Sequence, residues 1–395
     1  MKQAENEMLT RVGRGTPAGE LLRRYWHPVS IAGELTEEKP IKRVTLLGEK
    51  LVVFRLPLQA GDTQPRYGLV AEQCQHRMAS LFYGRVEADG IRCPYHGWKY
   101  DLKGSCLETP PEPPEWAYKN EIRQPAYPVK KLSGLLFAYL GPQPMPELPR
   151  WDCLAREDGK RWVTIESVID CNWLQPMENS VDPSHLYWLH GYTFGSGHLV
   201  DPQQKEKREA QYREKHEFIP FEYGIMKRRI TPNGIDEHPL LFPTALRHVS
   251  NEVRGTRAPV YRHNIQIRVP LDDTHTQVYR VNFIPNETDR SPADVDPPYE
   301  YRPLKTDGQY HWDVVSAQDS MAWETQGPIT DRTQEHLGYA DRGIIMFRKL
   351  LREQIEVVQK GGDPLGVIRD PAKAKFVDLP VINERIGLYR SQAAE

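Results

Sequence analysis

The chain has few cysteines, no long apolar run and no excess of either charge. Five cysteines in 395 residues are too few, and an odd number, for a scaffold held by disulfides. The longest apolar stretches, such as residues 135–140, fall far short of the roughly 18 residues that cross a bilayer. With 52 Lys+Arg against 54 Asp+Glu, the net charge is −2, which argues against a nucleic-acid-binding surface.

The polar amino terminus and the low hydropathy favour a cytoplasmic protein. Residues 1–7 are polar and acidic, without the apolar core of a signal peptide behind them, and the mean hydropathy is −0.65. We therefore expect a cytoplasmic protein that binds neither membranes nor nucleic acids.

Turn residues and changes of periodicity predict three parts in this chain. A helix start at Thr16-Pro17 has a capping threonine and a proline at the first helical position. Short strands, among them a hairpin over 44–54, predict an all-β module, and the proline-rich segment 141–149 follows it as a semi-rigid linker. We predict a helical segment over 1–40 that packs on the last domain, an all-β domain over 41–145 and a larger domain over 146–395.

The last part mixes strands and helices, so the fold class that we predict is α+β. Residues 171–190 read as a helix that is interrupted near Asp182-Pro183, and residues 289–307 as a surface loop rich in proline and aspartate. A long helix over 331–360 should bury one apolar face and end at Gly361-Gly362. The strand-like runs, rich in β-branched residues, are 162–167, 217–230, 261–269 and 276–284.

Two cysteines and two histidines form the first candidate metal site. One residue separates Cys74 from His76, two residues separate Cys93 from His96, and each pair follows a strand. Zinc can bind such a set, but a zinc finger uses two cysteines on one knuckle and two histidines on a helix. One cysteine and one histidine from each loop is instead the pattern of a [2Fe–2S] cluster with cysteines on one iron and histidines on the other.

The sequence around these ligands resembles the Rieske module of ring-hydroxylating oxygenases. The resemblance rests on residues 76–81, His-Arg-Met-Ala-Ser-Leu, and 93–101, Cys-Pro-Tyr-His-Gly-Trp-Lys-Tyr-Asp. Respiratory Rieske proteins have a hydroxyl residue two positions after the second histidine, where this chain has Trp98. With fewer hydrogen bonds to the cluster sulfurs, the reduction potential should lie near the low end of the Rieske range, roughly −150 mV. The other cysteines, Cys106, Cys153 and Cys171, read as reduced structural residues.

A second candidate site is the pattern Asp182-x2-His185-x4-His190. Residues i and i+3 share a helix face, but residues i and i+5 do not, so the helix must be distorted if both histidines bind one ion. Taken alone, such a pattern more often marks two structural histidines. Beside a Rieske module, it resembles the mononuclear iron motif of the same oxygenases.

The resemblance implies a carboxylate as the third ligand. Iron sites of this type bind two histidines and one carboxylate, and their remaining coordination positions stay free for oxygen. Asp319, in the sequence Gln-Asp-Ser-Met-Ala-Trp-Glu over 318–324, matches the family's C-terminal acid. The alternatives, which we interpret as solvated or helix-capping acids, are Asp313, Glu324 and Asp331.

Over nearly the whole chain, the resemblance is to the phthalate dioxygenase group, with aromatic O-demethylases as relatives. It implies an all-β Rieske [2Fe–2S] domain, then a catalytic domain with a seven-stranded antiparallel sheet flanked by helices, in homotrimers or stacked hexamers. In such rings Asp182 would accept hydrogen bonds from the partner subunit's His96 and from His185 of its own subunit, linking the two centres. A helix cap is its alternative role. Asn179 would contact bound oxygen or order the helix.

The resemblance implies a terminal oxygenase component with one [2Fe–2S] cluster and one mononuclear Fe(II). An NAD(P)H-dependent reductase, with flavin and a plant-type [2Fe–2S] cluster, would supply electrons, and the expected reaction with O2 is ring dihydroxylation of a carboxylated aromatic substrate. The alternative is monooxygenase-type O-demethylation of a methoxylated aromatic acid. Two other classes are a Rieske electron-transfer protein without catalysis and a zinc-stabilised binding protein.

Residues 191–285 should supply the walls of the substrate pocket. The apolar candidates, although such residues more often form the core, are Phe194, Phe221, Met226, Phe242 and Phe283. One or two arginines could hold a substrate carboxylate through paired hydrogen bonds. The candidates are Arg228, Arg229, Arg247, Arg254, Arg257, Arg262, Arg268 and Arg280.

Overall fold

The computed structural model describes residues 1–190, 215–251, 260–286, 288–384 and 388. Among these residues, no helix is both long and apolar enough to cross a membrane. Three of the predicted pocket residues, Phe194, Arg254 and Arg257, lie outside the described residues.

Two short helices and a strand form the amino-terminal segment. Helix α1 spans Gln3–Thr10, helix α2 Pro17–Leu22 and strand β1 Trp26–Ile31. The predicted start of α2 is confirmed, because Oγ1 of Thr16 accepts a hydrogen bond from the amide of Gly19 (3.2 Å). Strand β1 pairs with a strand of the all-β domain, so the segment predicted as helical also contains a strand. The division of the chain at residues 40 and 145 stays a prediction.

The all-β domain contains the predicted hairpin within three small sheets. Its strands are β2 Ile41–Leu46, β3 Glu49–Arg55, β4 Tyr67–Ala71, β5 Arg85–Glu87, β6 Gly90–Arg92, β7 Lys99–Tyr100, β8 Cys106–Glu108, β9 Ala126–Tyr127, β10 Val129–Leu132 and β11 Leu135–Tyr139. They pair in the orders β2-β3-β4-β9, β5-β6-β7-β8 and β1-β11-β10. Leu47 and Gly48 join β2 to β3 with φ angles of 51° and 77°, as a two-residue hairpin turn requires.

A large, mostly antiparallel sheet forms the centre of the last domain. Its described strands are β12 Gly159–Glu166, β13 Lys215–Phe221, β14 Gly224–Thr231, β15 Gly234–Leu241, β16 Ala245–Asn251, β17 Tyr261–Pro270, β18 Thr276–Pro285, β19 Tyr299–Arg302 and β22 Ile382–Asn383. They lie in the order β13-β14-β15-β16-β17-β18-β12-β19, and β22 pairs with β15. The implied count of seven strands is therefore wrong, since the described part of the sheet has nine. A separate hairpin consists of β20 Lys305–Thr306 and β21 Gln309–Tyr310.

Helices flank this sheet, as the α+β prediction required. They are α3 Asp152–Ala155, α4 Leu174–Asn179, α5 Val315–Glu324, α6 Arg342–Gln359 and α7 Pro371–Ala374, with a π-helix over Leu186–His190. The predicted interruption near Asp182-Pro183 is confirmed, because it separates α4 from the π-helix. Short 3-10 helices cover Ala32–Glu34, Leu81–Tyr83, Ala117–Glu121 and Tyr339–Asp341.

Three predicted boundaries differ from the structure. The run 217–230 folds as the hairpin of β13 and β14, and the predicted loop 289–307 contains β19, which pairs in parallel with β12. The predicted helix over 331–360 starts only at Arg342. Asp331 instead holds a tight turn, because its Oδ1 accepts hydrogen bonds from the amide and the hydroxyl of Thr333 (3.0 and 2.6 Å). The apolar face of α6 is buried as predicted, through Phe347, Leu351, Ile355 and Val358.

A buried ionic cluster connects α1, α4 and α6. Glu178 of α4 accepts hydrogen bonds from Nη2 of Arg332 (2.8 Å) and from Nε of Arg348 on α6 (2.6 Å). Arg332 also donates to Oδ1 of Asn6 on α1 (3.1 Å), and Arg348 donates to Glu335 (2.7 and 2.9 Å). Burial acts to raise the pKa of Glu178, but the two guanidinium groups hold it below its ordinary value. The cluster thus fixes α4 immediately before the segment that carries the predicted metal ligands.

Candidate metal centres and substrate cavity

Two loops of the all-β domain carry the predicted cluster ligands. In both loops the amide four residues after the cysteine donates to the cysteine carbonyl, from Met78 to Cys74 (2.9 Å) and from Gly97 to Cys93 (3.1 Å). Met78 and Gly97 have φ angles of 60° and 76°, a left-handed conformation that turns the chain back sharply. The two loops therefore share one backbone course, and each presents its cysteine and histidine in an equivalent way.

The cysteines lie inside the domain and the histidines reach its surface. Cys74 and Cys93 are buried, whereas His76 and His96 are half-buried, with ring centroids 4.6 Å apart. Two inner thiols and two outer imidazoles suit a cluster with an inner, cysteine-held iron and an outer, histidine-held iron. The imidazoles are then the part of this centre that another protein can contact.

Two aromatic residues support these ligands. Trp98 stacks on His76, with 4.3 Å between the ring centroids and 7° between the planes. The hydroxyl of Tyr100 lies 3.2 Å from Sγ of Cys74 and donates to it when the cysteine is a thiolate. The sequence analysis missed this hydrogen bond, because it considered only the position two residues after His96, which is Trp98. The hydroxyl comes from Tyr100, four residues after His96. It stabilises the reduced form of a cluster and so acts against a low potential, whose value stays a prediction.

A π-helix resolves the spacing of His185 and His190. The segment Leu186–His190 is a π-helix, in which hydrogen bonds join residues i and i+5. Residues five apart, which diverge on an α-helix, then come close to one face. The two imidazole rings lie 5.3 Å apart at 82° to each other, so both can bind one ion.

Asp319 of α5 completes a three-ligand group with these histidines. Its Oδ1 is 3.2 Å from Nε2 of His190 and 3.8 Å from Nε2 of His185, and the three ligand atoms lie within 4.8 Å of one another. Ligands about 2.1 Å from a divalent ion, at right angles to each other, are about 3 Å apart, so these residues fit a metal. Within the described residues, no other three His, Cys, Asp or Glu side chains form such a group.

Gln318, next to Asp319, orients His190. Its Nε2 donates to the carbonyl of Trp312 (2.6 Å), which leaves Oε1 to accept from Nδ1 of His190 (2.8 Å). The proton of His190 is thereby held on Nδ1, and Nε2 is left free to bind a metal. Burial acts to raise the pKa of Asp319, but the neighbouring groups, His190 and His185 above all, bring it below its ordinary value.

Asp182 lies against the opposite edge of the His185 ring. Its Oδ2 is 3.5 Å from Nδ1 of His185, and its Oδ1 accepts a hydrogen bond from the amide of Ser184 (2.7 Å). The carboxylate therefore holds the turn before the π-helix and faces the imidazole, so both predicted roles are compatible with its position. Burial acts to raise the pKa of Asp182, but His185, the amide of Ser184 and the charge of Lys227 together bring it below its ordinary value. The side chain is 23% exposed, which leaves it accessible to another subunit.

The structure separates Asp319 from the alternative acids. Glu324 accepts hydrogen bonds from Lys305 (2.9 Å) and Tyr310 (2.5 Å), Asp331 holds the turn described above, and Asp313 is exposed. Asn179, the last residue of α4, lines the same cavity as the three-ligand group.

A cavity of about 660 Å³ adjoins the three-ligand group. Its floor is the face of the large sheet formed by β14 to β18, and Asp319 is its one acidic lining residue among those described. Its apolar lining consists of Leu186, Leu246, Val314 and Val315. The cationic lining residues are more numerous: Lys227, Arg229, Arg262, Arg268, Arg280 and Arg302. Such a cavity favours an anionic ligand.

Two of these cations have no carboxylate partner among the described residues. Lys227 and Arg268 are buried, at 6% and 3% exposed, and neither forms an ion pair with a described carboxylate. Burial lowers the pKa of Lys227 to about 8 and that of Arg268 to about 10, so both are cationic at neutral pH. Three of the others are paired, as Arg229–Asp236, Arg280–Glu166 (2.9 Å) and Arg302–Glu300 (2.8 Å).

Four predicted arginines line the cavity and two do not. The four are Arg229, Arg262, Arg268 and Arg280. Arg228 points to the other face of its strand and binds Glu217 and Glu237 (3.1 and 2.5 Å). Arg247 forms a buried pair with Asp152 (2.7 Å) and is structural.

The predicted aromatic walls are wrong for the described residues. Phe221, Met226, Phe242 and Phe283 do not line the cavity, because their side chains pack in or against the core; Phe242, for example, contacts Tyr25 and Phe347. Among the residues that the sequence analysis did not name as site residues, Lys227, His238 and His248 line the cavity, and Gln318 orients His190. A signal existed for Lys227, since strand alternation over 225–229 places it on the same face as Arg229.

Family models and a close relative define the class of this protein. The Rieske [2Fe-2S] domain model matches residues 25–130, and the model described as LigXa C-terminal domain like matches residues 299–384. The oxygenase subunit of 5,5'-dehydrodivanillate O-demethylase from Sphingobium sp. (strain NBRC 103272 / SYK-6) is 39% identical over 393 residues, which cover 96% of this chain and 86% of that protein. The chain therefore belongs to the Rieske non-heme iron oxygenases, as an oxygenase subunit and an oxidoreductase.

Within this class, the chain falls in the group of phthalate dioxygenases and aromatic demethylases. Phenoxybenzoate dioxygenase subunit alpha from Ectopseudomonas oleovorans is 34% identical, over 93% of this chain and 88% of that protein. The oxygenase subunit of phthalate 4,5-dioxygenase from Pseudomonas putida is 31% identical, over 92% and 88%. The structure of the NdmA QL mutant with caffeine, from Pseudomonas putida CBB5, shares the fold, with a TM-score of 0.66 at 23% identity over 89% of this chain and 97% of that one.

Proposed function

We propose that this protein is the terminal oxygenase of a system that oxidises a carboxylated aromatic compound with O2. The observation that carries this proposal is the buried Arg268, which has no carboxylate partner among the described residues and lines the same cavity as His185, His190 and Asp319. In this proposal, those three residues hold Fe(II), and Cys74, His76, Cys93 and His96 hold the [2Fe–2S] cluster. Iron in such a ligand set keeps coordination positions free for O2 and activates it for attack on a substrate carbon, with electrons supplied through the cluster.

The chain's own residues bind and orient the substrate and the ligands. Arg268 would hold the substrate carboxylate, and the apolar side chains of Leu246 and Val314 would lie against its ring. Gln318 keeps Nε2 of His190 free for the metal. Asp182 fixes the other metal-binding imidazole, that of His185.

The proposed partners are a separate reductase and further copies of this chain. Relatives named as oxygenase subunits support a separate electron-transfer component, here proposed as an NAD(P)H-dependent reductase with flavin and a plant-type [2Fe–2S] cluster. In a homotrimer or stacked hexamer, the partner subunit's His96 would donate to Asp182, whose partial exposure supports such a contact.

Two reactions remain candidates, and their products distinguish them. O-demethylation is supported by the 39% identical demethylase subunit, and ring dihydroxylation by the two dioxygenase relatives at 34% and 31% identity. Formaldehyde and a phenol would identify the first reaction. A cis-dihydrodiol that contains both atoms of isotopically labelled O2 would identify the second.

Arg268→Gln is expected to raise KM for an aromatic acid about 10- to 100-fold, with a smaller change in kcat, because it removes a charge-assisted hydrogen bond to the bound substrate. The measurement is O2 consumption with substituted benzoates and with the matching benzamides, which lack the charge. The wild type should prefer the acids, and the variant should lose that preference. Equal activity of the wild type on acids and amides would contradict the proposed carboxylate site.

Asp182→Asn is expected to keep both metal centres and to lower turnover about 10- to 100-fold, the usual cost of losing a group that orients a metal ligand. Iron and sulfide analysis, the visible spectrum of the cluster and the rate at which the reduced cluster is reoxidised with O2 and substrate present would test this. Normal reoxidation in the variant would rule out the linking role and leave Asp182 as a turn-forming residue.

A further inference from the structure

One buried glutamine, Gln124, forms hydrogen bonds with the first cluster loop, which we define as residues 71–76. Its side-chain Nε2 donates to the carbonyls of Ala71 (2.8 Å) and Gln73 (2.9 Å), and its Oε1 accepts from the amide of Gln75 (3.1 Å). The residue is 1% exposed, so water cannot replace these bonds if they are lost. A single side chain therefore satisfies three backbone groups of the loop that carries two candidate cluster ligands.

A proline explains why a side chain forms these bonds. The antiparallel pairing of β4 with β9 ends with Val70 opposite Ala126, and Ala71 and Pro125 would form the next pair. The amide of Ala71 does donate to the carbonyl of Pro125 (2.8 Å). Pro125, however, has no N–H with which to return the bond. The Nε2 of Gln124 donates to the carbonyl of Ala71 in its place.

The side chain of Gln124 continues the strand pairing into the first cluster loop. The three residues that it contacts are alternate residues, whose backbone N–H and C=O groups face the same edge of an extended chain. On the other edge, the amide of Glu72 donates to the carbonyl of Lys50 (3.0 Å). The amide of Cys74 donates to the carbonyl of Ala79 on that edge as well (2.9 Å). Both edges of the loop are thus hydrogen-bonded where the first ligand stands.

The backbone of Gln124 is itself fixed by the turn at Gly104. The amide of Gln124 donates to the carbonyl of Gly104 (2.8 Å), and Gly104 has a φ angle of 82°. A Cβ at position 104 would lie 1.9 Å from the carbonyl oxygen of Gln124, so this close approach requires glycine. The side chain therefore extends to the first cluster loop from a backbone position that is already set.

We propose that Gln124 is a positioning residue of the [2Fe–2S] centre, which holds the first cluster loop so that Cys74 and His76 are placed for cluster binding. This inference rests on the proposed function, in which both residues are cluster ligands. A side-chain amide suits the role because it offers two donors and an acceptor, and because it is uncharged and does not respond to pH. A loop that is held in this way retains the cluster and keeps the His76 imidazole in one orientation while electrons pass.

Gln124→Met tests this role, because methionine has nearly the same length and forms none of the three hydrogen bonds. The fully loaded, anaerobic protein is mixed with an iron chelator, and the visible spectrum follows the loss of the cluster. This loss is expected to be about 10- to 100-fold faster in the variant than in the wild type. The EPR g values of the reduced cluster should also shift, because the His76 ring is no longer held. An unchanged rate of loss, or unchanged g values, would overturn the proposal.

Gln175→Met is the matched control, because Gln175 forms the same three kinds of bond in the last domain. Its Nε2 donates to the carbonyls of Trp323 and Gly327 (both 2.9 Å), and its Oε1 accepts from the amide of Thr330 (3.3 Å). It is also buried, at 2% exposed. The control should keep the wild-type rate of cluster loss and the wild-type g values. Equal acceleration in both variants would show that Gln124 acts only on overall stability, which would contradict the positioning role.

Pro125→Ala, added to Gln124→Met, is expected to restore part of the cluster retention. Alanine has an N–H, and the register of β4 and β9 places it opposite the carbonyl of Ala71, which has lost its donor. Cluster loss in the double variant should be about 3- to 10-fold slower than in Gln124→Met. Equal rates in the single and double variants would count against the proposal.

Iron and sulfide analysis separates this inference from the proposed function. If the wild type contains about two acid-labile sulfides per chain and Gln124→Met behaves like it, the cluster stands and the role of Gln124 is wrong. If the wild type contains no sulfide, the proposed function fails and this inference fails with it. Should Gln124→Met not fold, Gln124→Glu gives the same comparison, since it keeps the acceptor for the Gln75 amide and loses both donors.

Discussion

Asp319→Ala is expected to lower turnover about 1,000-fold or more and to remove the mononuclear metal while the [2Fe–2S] cluster stays in place. Asp319 supplies the one carboxylate oxygen of the three-ligand group, and two imidazoles alone hold a divalent ion far less tightly. A bound metal lowers the activation free energy by several kcal/mol, and losing about 4 kcal/mol corresponds to a rate about 1,000-fold lower. Iron should fall from about three to about two atoms per chain, and acid-labile sulfide should stay at about two.

Asp313→Asn is the matched control for this prediction. Asp313 lies six residues before Asp319 in the chain and is exposed, so its substitution should leave iron content and turnover unchanged. Retention of the third iron and of activity in Asp319→Ala would show that another residue completes the site. Zinc in place of iron in the wild type would contradict the oxygenase proposal itself.

Glu178→Ala is expected to lower the free energy of unfolding by about 3–5 kcal/mol, the cost of leaving buried charges without their partner. Arg332 is fully buried and Arg348 nearly so, at 0% and 5% side-chain exposure, and the substitution removes the carboxylate that both of them bind. Because the cluster also reaches α1 and α6, the loss should spread beyond α4. Urea unfolding followed by circular dichroism measures it.

The pH dependence of this difference has a definite sign. The folded pKa of Glu178 lies below its ordinary value, so its contribution is present above the unfolded pKa of about 4.3 and is lost as the pH falls through the folded pKa. The gap between wild type and Glu178→Ala should therefore narrow below about pH 4. Glu353→Ala, which removes an exposed partner of Lys349, should cost less than about 0.5 kcal/mol at any pH. A similar loss in both variants would contradict the role of the buried cluster.

The candidate metal ligands could be predicted from the sequence because they are recognised by residue type and spacing. The pairs Cys74/His76 and Cys93/His96 predicted two loops that together form one site. In the structure the two loops have the same backbone course. The five-residue interval between His185 and His190 predicted a distorted helix, and the structure has a π-helix there. Asp319 was chosen from four acids by resemblance, and its burial next to His190 supports that choice.

The substrate cavity was not accessible in the same way, because it depends on which strands become neighbours. Lys227 and His238 face each other across β14 and β15, a relation that eleven residues of sequence separation do not reveal. The aromatic candidates failed for a related reason: a phenylalanine in a strand carries no mark that distinguishes core from cavity. Strand β19 was missed because its pairing with the edge of β12 is a tertiary contact, formed within a segment whose composition is that of a loop.

In the π-helix at Leu186–His190, the candidate metal site depends on the number of residues in one helical turn. A π turn holds about one residue more than an α turn, so this helix corresponds to an α-helix with a single inserted residue. No exchange of side chains in an uninterrupted α-helix could set two imidazoles five positions apart on one face. The approach of His185 and His190 to one candidate ion therefore depends on the extra residue of the π turn.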